Sequence, residues 1–450
     1  MTLLLIRHLF WRTIESGHCV LMHGGTRGVG PNLAGIVTAH LPITSGMKMQ
    51  TTYFRRGFGL KKTIQPIIAA NYHSSLVDKI REDGYTATFG DLTFVLAKEF
   101  GFCYGVDRAV DYAYETAHKF PGQKIFLVGE IIHNPHVNNR LEEMGINFIF
   151  PSEDGEFDFS EVTPDDVVIL PAFGATLADF TELRELGCIL VDTTCGSVLN
   201  VWKRVESYAK DGFTALIHGK YEHEESRATA SQVHKYPGGK YVIVRDMDEA
   251  RLIMDYIEQN ERALSAEELK AHFEEKAYDG FDPDADLVKI GVANQTTMLA
   301  TESLAIANEV GKSLAIRYGE ENLPHHFRSF DTICSATQER QDAVLEMMEN
   351  PPDIMVVIGG YNSSNTNHLA HLCRGYTKTY HISDSSRIDP ATRTISHKPK
   401  LDPECPEAVE TDWLPDGPVT IGITAGASTP NNKIGEAIEY IVETRGLEIP

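Results

Sequence analysis

From about residue 91 onward the chain alternates short apolar runs with longer stretches whose apolar positions recur at helical spacing. The short runs fall at 124–128, 167–170, 214–217, 241–244, 353–358 and 419–423, and the helical ones include 106–119, 200–210, 298–317 and 336–349. This alternation predicts α/β layers built on mostly parallel sheets. Two segments depart from it. Residues 257–286 are polar and turn-rich at Asp282-Pro283-Asp284, with a helical stretch over 266–276 that Ser265 and Glu268 can cap, and they read as a surface insertion. Residues 1–46 hold Glu15 as the only acid beside Arg7, Arg12 and Arg27, the pattern of a transit peptide or of a start misassigned upstream of Met47 or Met49.

A repeat at larger scale is more informative than local propensity. Cys103, Cys195 and Cys334 each sit just before a helical run that leads into a strand and then a polar loop, reached at His133, His223 and Ser363. Counted from each cysteine, the loop arrives after 30, 28 and 29 residues. Each unit then continues to a second loop: Pro171-Ala172-Phe173-Gly174, Asn294-Gln295-Thr296-Thr297 and Thr424-Ala425-Gly426-Ala427-Ser428. Asp192-Thr193-Thr194-Cys195 even repeats as Asp331-Thr332-Ile333-Cys334. The expected architecture is three pseudo-threefold-related α/β units, each giving one cysteine and two loops to a shared centre. Their expected bounds are 92–192, 193–330 and 331–450, after a leader over 1–46 and an extension over 47–91.

Length agrees, since 450 residues at about 150 per domain make about three. With 42% hydrophobic and 23% charged residues the composition is globular. The 64 acidic residues outnumber 41 Lys and Arg, and a net charge of −23 opposes binding to nucleic acid or anionic membranes. No stretch approaches the ~18 apolar residues of a membrane span. Seven cysteines are too few and too scattered for a secreted disulfide scaffold. A phosphorylated substrate would be repelled at long range, so its site must use local backbone N–H groups, hydroxyls and imidazoles.

Three thiolates from three units suit an iron-sulfur cluster. Full ligation normally takes four cysteines, so a [4Fe-4S] cube on Cys103, Cys195 and Cys334 leaves one iron open as a Lewis acid. Cys19, Cys188, Cys373 and Cys405 lie off the repeat and read as ordinary buried or loop cysteines, with Cys373 the one alternative fourth ligand. The loops around His133, His223, Ser363, Ser364, Asn365 and Ser428 can hold an anion without a formal cation. Glu225, two residues after His223, is either a general acid in a dry site or a solvated loop carboxylate. A zinc-deaminase reading lacks its Pro-Cys-x-x-Cys half, and no P-loop or Rossmann fingerprint has the right context.

Gly101-Phe102-Cys103-Tyr104-Gly105-Val106, Glu130-Ile131-Ile132-His133-Asn134, Asp192-Thr193-Thr194-Cys195, His218-Gly219-Lys220-Tyr221-Glu222-His223-Glu224-Glu225, Gln295-Thr296-Thr297, Ser363-Ser364-Asn365 and Thr424-Ala425-Gly426-Ala427-Ser428 occur in order. Over residues 53–443 the sequence closely resembles the 4-hydroxy-3-methylbut-2-enyl diphosphate reductases. The resemblance implies a three-domain trefoil around an oxygen-sensitive [4Fe-4S] cluster on Cys103, Cys195 and Cys334. It further implies two-electron reductive removal of the C4 hydroxyl of an allylic diphosphate, giving isopentenyl and dimethylallyl diphosphates in the non-mevalonate isoprenoid pathway. Glu225 resembles the residue that manages protons, with Thr296 beside it; His133, His223, Ser363, Ser364, Asn365 and Ser428 resemble the diphosphate-binding set.

Phe173 stands where many bacterial members have a third substrate-site histidine, and His-Glu-Glu replaces His-Pro-Glu, as in the plant and cyanobacterial-like branch. That branch implies reduced ferredoxin as donor, or flavodoxin. A cytoplasmic enzyme is the favoured reading, with the plastid stroma as its site if residues 1–46 are a transit peptide. A quinolinate-synthase-like dehydratase would also gather three cysteines, and a non-catalytic iron-sulfur sensor would leave the histidine and serine loops without a purpose.

Overall fold

The computed structural model of the chain describes residues 52–400 and 405–449, so the expected leader, Cys19, Met47 and Met49 lie outside the described residues. Three mostly parallel sheets form the framework. The first runs in the order Tyr53–Phe54, Ile189–Asp192, Val167–Leu170, Ile125–Val128, Ile146–Ile149, all parallel. The second runs Phe327–Ser329, Ile290–Asn294, Thr214–His218, Lys240–Val244, again all parallel. The third runs Lys378–Ile382, Ile354–Ile358, Val419–Ala425, Leu92–Leu96, Thr86–Phe89, parallel except for its last strand. A small antiparallel sheet of Ile388–Asp389, Thr394–His397 and Ala408–Thr411 lies in the last third of the chain.

The expected α/β class is therefore observed, and the strands coincide with the apolar runs because helices cover both faces of each sheet. Strand Val167–Leu170 and strand Ile354–Ile358 are buried at every position. Such strands have no solvent side and need no polar alternation.

One strand departs from the expected bounds. Leu92–Leu96 pairs with Val419–Ala425 in the third sheet and not with the first. In the first two sheets the strand that precedes the next cysteine lies one place beyond the middle pair: Ile189–Asp192 leads to Cys195 and Phe327–Ser329 to Cys334. Among the described residues the helix Asn431–Thr444 is the one element after Val419–Ala425, and the strand in the corresponding place of the third sheet is Leu92–Leu96, just before Cys103. The repeat is closed into a ring by that exchange. Phe94, fully buried, packs in one cluster with Ile354, Val356, Ile358, Ile421 and Ile423 of the third sheet.

The polar segment 257–286 is more than a surface insertion. The capping box of Ser265 and Glu268 is present on the helix Ala266–His272. Leu269, Phe273 and Phe281 are nonetheless buried in the core of the second sheet, and Ile243 N–H donates to the Lys276 carbonyl. Few apolar residues suffice because they are spaced to reach one face.

Replacing Phe94 by Ala is expected to cost about 3–5 kcal/mol, the usual penalty for emptying a buried aromatic site. Denaturant titration of the purified protein checks this, and a change below about 1 kcal/mol would contradict the placement of Leu92–Leu96 in the third core.

Candidate active site

Each of the three repeated cysteines is the N-cap of a helix: Cys103 of Tyr104–Lys119, Cys195 of Gly196–Lys210 and Cys334 of Ser335–Met347. Their own N–H groups donate to carbonyls of the second polar loops, Cys103 to Ala427 at 3.2 Å, Cys195 to Ala172 at 2.9 Å and Cys334 to Thr296 at 3.3 Å. The sulfurs converge. A Cβ on Gly105 would stand 2.6 Å from Cys195 Sγ and 3.8 Å from Cys103 Sγ, so only glycine fits there. Cys334 interacts electrostatically with both Cys103 and Glu225.

Burial pushes the Cys103 thiol up, and that of Cys334 up to about 11. Opposing this are the N–H groups of Val106 and Gly105 and the charge of Arg340 at Cys103, and the N–H of Thr337, 3.3 Å from Cys334 Sγ. Arg340 is 3% exposed, donates to the carbonyls of Gly101 and Ala336, and has no ion-pair partner among the described residues. A buried cation is costly without nearby charge of opposite sign, of which Asp107 supplies some. Three thiolates around a soft metal centre would supply that charge, and the metal would draw off the protons that burial holds on the sulfurs. The donor set therefore fits a thiolate-ligated centre.

The polar loops close around the same region. Glu225 is 1% exposed; Thr296 donates to it from its N–H at 2.6 Å and from its hydroxyl at 3.0 Å. Desolvation nonetheless dominates and raises the carboxyl to about 7. His223 caps the helix Glu224–Ser231, its Nδ1 accepting from Glu225 N–H at 3.0 Å, and burial keeps its pKa well below the ordinary value. A neutral His223 so held carries its proton on Nε2, which faces His133 Nε2 at 3.1 Å. His133 Nδ1 lies 2.8 Å from Glu130 Oε2, a carboxylate oxygen that accepts, and Asn362 Nδ2 donates to the same oxygen at 2.9 Å.

The third unit brings its hydroxyls and amides to the same place. Ser363, Ser364, Asn365 and Ser428 are all buried. Ser428 Oγ donates to the His133 carbonyl at 3.1 Å, and Gln295 Nε2 donates to Ser364 Oγ at 3.2 Å. Asn365 accepts from Ala427 N–H, while its own Nδ2 is buried without a partner. Ser363 and Ser364 sit at the start of the helix Ser364–Arg374, whose free N–H groups favour an anion. An unpartnered donor beside a helix N-terminus is a fitting lodging for a phosphoryl oxygen.

Phe173 stacks on His133 at 4.3 Å and 23° and meets His223 edge-on at 5.5 Å. The remaining cysteines are elsewhere: Cys373 packs with Val344, Met355 and Leu369, and Cys188 is buried beside Leu183. Sequence reasoning missed Arg340, Glu130, Asn362 and Gln295. Gln295 and Glu130 lay in quoted motifs, and Asn362 lies in the 359–365 loop read for anion binding; Arg340 carried no local signal.

The model of the LytB protein family matches residues 94–442. This chain belongs to the LytB family. Among curated LytB relatives, the 4-hydroxy-3-methylbut-2-enyl diphosphate reductase of Thermosynechococcus vestitus is 48% identical, covering 88% of this chain and 95% of its own. That of Gloeobacter violaceus is 47% identical over 88% of this chain and 93% of its own. A solved structure, the E-1-hydroxy-2-methyl-but-2-enyl-4-diphosphate reductase from Plasmodium falciparum, shares the fold with a TM-score of 0.56 at 21% identity, over 78% of this chain and 87% of that one.

A raised carboxyl binds its proton more tightly in the folded than in the unfolded chain, so Glu225 contributes stability that is full below the unfolded value near 4.5 and lost as pH rises through about 7. Glu225→Gln should remove this dependence, its stability relative to wild type improving by up to about 1.4 kcal/mol per pH unit across that window. Denaturant midpoints of both proteins between pH 5 and 8 check this; parallel profiles would contradict the raised carboxyl.

Proposed function

We propose that this chain is an iron-sulfur reductase that converts (E)-4-hydroxy-3-methylbut-2-enyl diphosphate to isopentenyl and dimethylallyl diphosphates, the last step of the non-mevalonate isoprenoid pathway. Substrate, two electrons and two protons give the alkene diphosphate and water. Membership of the LytB family over residues 94–442 supports the activity. The observation that carries the assignment of residues is the convergence of three helix-capping cysteines on a buried carboxyl that holds a proton near neutral pH.

Cys103, Cys195 and Cys334 are the proposed ligands of a [4Fe-4S] cluster. When bound, such a cluster supplies electrons and, at the iron without a cysteine, a Lewis-acidic position for an oxygen ligand. The rest falls to the chain. Glu225 delivers a proton to the departing hydroxyl, and a carboxyl near 7 is matched to that task. Thr296 fixes its orientation through two hydrogen bonds.

His133, His223, Ser363, Ser364, Asn365 and Ser428 hold the diphosphate. Besides the two imidazoles these are hydroxyls, an amide and helix-start N–H groups, which suits an acidic protein that must bind an anion locally. Glu130 Oε2 lies 2.8 Å from His133 Nδ1 and holds that ring in place. Phe173 packs against His133 without contacting phosphate chemically.

The three units are proposed to run from one cysteine to the next, with Leu92–Leu96 assigned to the third. The electrons are proposed to come from reduced ferredoxin or flavodoxin. The enzyme is proposed to work in the cytoplasm, or in the plastid stroma if residues 1–46 are removed as a transit peptide.

Protein purified without oxygen is expected to be brown and to turn over the hydroxymethylbutenyl diphosphate with dithionite and a viologen dye. Colour without turnover would favour an iron-sulfur sensor. Serine at Cys103, Cys195 or Cys334 should each strip or cripple the cluster, measured as iron content and visible absorption; full iron and full activity in any one would remove that ligand. Glu225→Gln should keep the colour and lose about 10²–10⁴ in turnover, the usual range for a lost general acid.

A further inference from the structure

On the reading just given, two electrons must reach the cysteine-bound centre from outside the chain. The substrate loops offer little surface for this, since His133, His223, Glu225, Thr296, Ser364 and Asn365 are all less than a tenth exposed. The cysteine side is open. Tyr104, directly after Cys103, is 84% exposed, and Gly196 and Ser335, directly after Cys195 and Cys334, are exposed as well.

A cleft of about 600 Å³ reaches Cys334 itself between the helix Gly196–Lys210 and residues 331–335. Ser197, Asn200, Lys203 and Arg204 line it from the helix, at the spacing of one face, and Asp331 is the acid among its lining residues. Lys203 and Arg204 are exposed, and neither has an ion-pair partner among the described residues. Arg204 lies 3.9 Å over the ring of Phe330, which is 43% exposed. On a chain of net charge −23, two unneutralised cations and an exposed aromatic at the mouth of a cleft leading to a cysteine are a local reversal of sign.

We propose that this cleft, with Lys203, Arg204 and Phe330 at its mouth, is the docking face for a small acidic one-electron carrier protein of the ferredoxin type. The carrier would bring its own metal centre against the Cys334 side and pass two electrons in successive encounters. Opposite charge steers such encounters and suppresses unproductive ones without requiring tight binding. Redox partners characteristically make small, transient contacts.

The test uses the anaerobic holoenzyme and its Lys203→Glu/Arg204→Glu variant, with a plant-type ferredoxin as probe. Titration calorimetry with oxidised ferredoxin at low salt should give roughly tenfold weaker binding for the variant, and the KM for reduced ferredoxin should rise by a similar factor. Wild-type binding should weaken as salt is raised, and the variant should lose most of that dependence. Turnover driven by reduced methyl viologen should stay at or above the wild-type rate.

Unchanged ferredoxin binding and KM would overturn the docking face while leaving the reductase reading intact. An equal loss with viologen would assign the effect to the fold and also overturn it, and Lys203→Gln/Arg204→Gln, which removes charge without adding acid, repeats the test more gently. Wild-type protein that fails to turn over with viologen would sink the reductase reading instead, and the binding titration would still decide the docking face.

Discussion

Three main-chain hydrogen bonds hold the centre of this molecule, from the N–H of Cys103, Cys195 and Cys334 to carbonyls of Ala427, Ala172 and Thr296. Each joins the start of a cysteine-capped helix to the loop at the end of a strand in another part of the ring. Because the cysteine is the N-cap, its side chain leaves the helix axis at a fixed place relative to the first free N–H groups. Because its N–H is tied to a loop, that place is also fixed relative to the polar residues of that loop. One repeated bond thus sets both the spacing of the sulfurs and their distance from Glu225, whose partner Thr296 carries one of the three accepting carbonyls.

The electrostatics of the polar loops are set by burial and by close carboxyl–imidazole contacts, Glu130 and Glu224 lying 2.8 and 3.6 Å from nitrogens of the His133 ring. Desolvation raises Glu225 to about 7, burial and the capping bond hold His223 neutral, and Asn365, Ser363 and Ser364 contribute dipoles. Arg340 is a buried cation beside Cys103. Its position is intelligible if thiolate charge accumulates there, and its two bonds to Gly101 and Ala336 carbonyls also fasten the third cysteine helix to the first cysteine loop. The outer surface can then remain strongly acidic, with Lys203 and Arg204 left unneutralised at one cleft.

How much of this could be read in the sequence depends on whether a feature is local. Strands buried on both faces are continuous apolar runs, so their positions were legible to within a residue or two, and the cysteine-to-loop interval was legible because each repeat traverses one helix and one strand. The place of Leu92–Leu96 was not, because strand pairing is a non-local choice and a ring closed by its two ends looks, in a linear text, like an extra strand of the first unit. The insertion was misjudged for a related reason: Leu269, Phe273 and Phe281 are few among charged neighbours, yet their spacing places all three in a core. Arg340 has no signature at all, since an arginine in an amphipathic helix is ordinary until its surroundings are known.

Phe173 shows how such surroundings alter a site. An imidazole at this point in the first unit's second loop could donate to a phosphoryl oxygen, whereas a phenyl ring cannot. Its stack on His133 fixes the plane of that imidazole, so Nδ1 stays on Glu130 and Nε2 stays aimed at His223. One donor is given up, and the neighbouring imidazole is held in one orientation. Glu130 then matters through His133: its Oε2, 2.8 Å from Nδ1, and the stacked Phe173 ring together fix which way that imidazole faces.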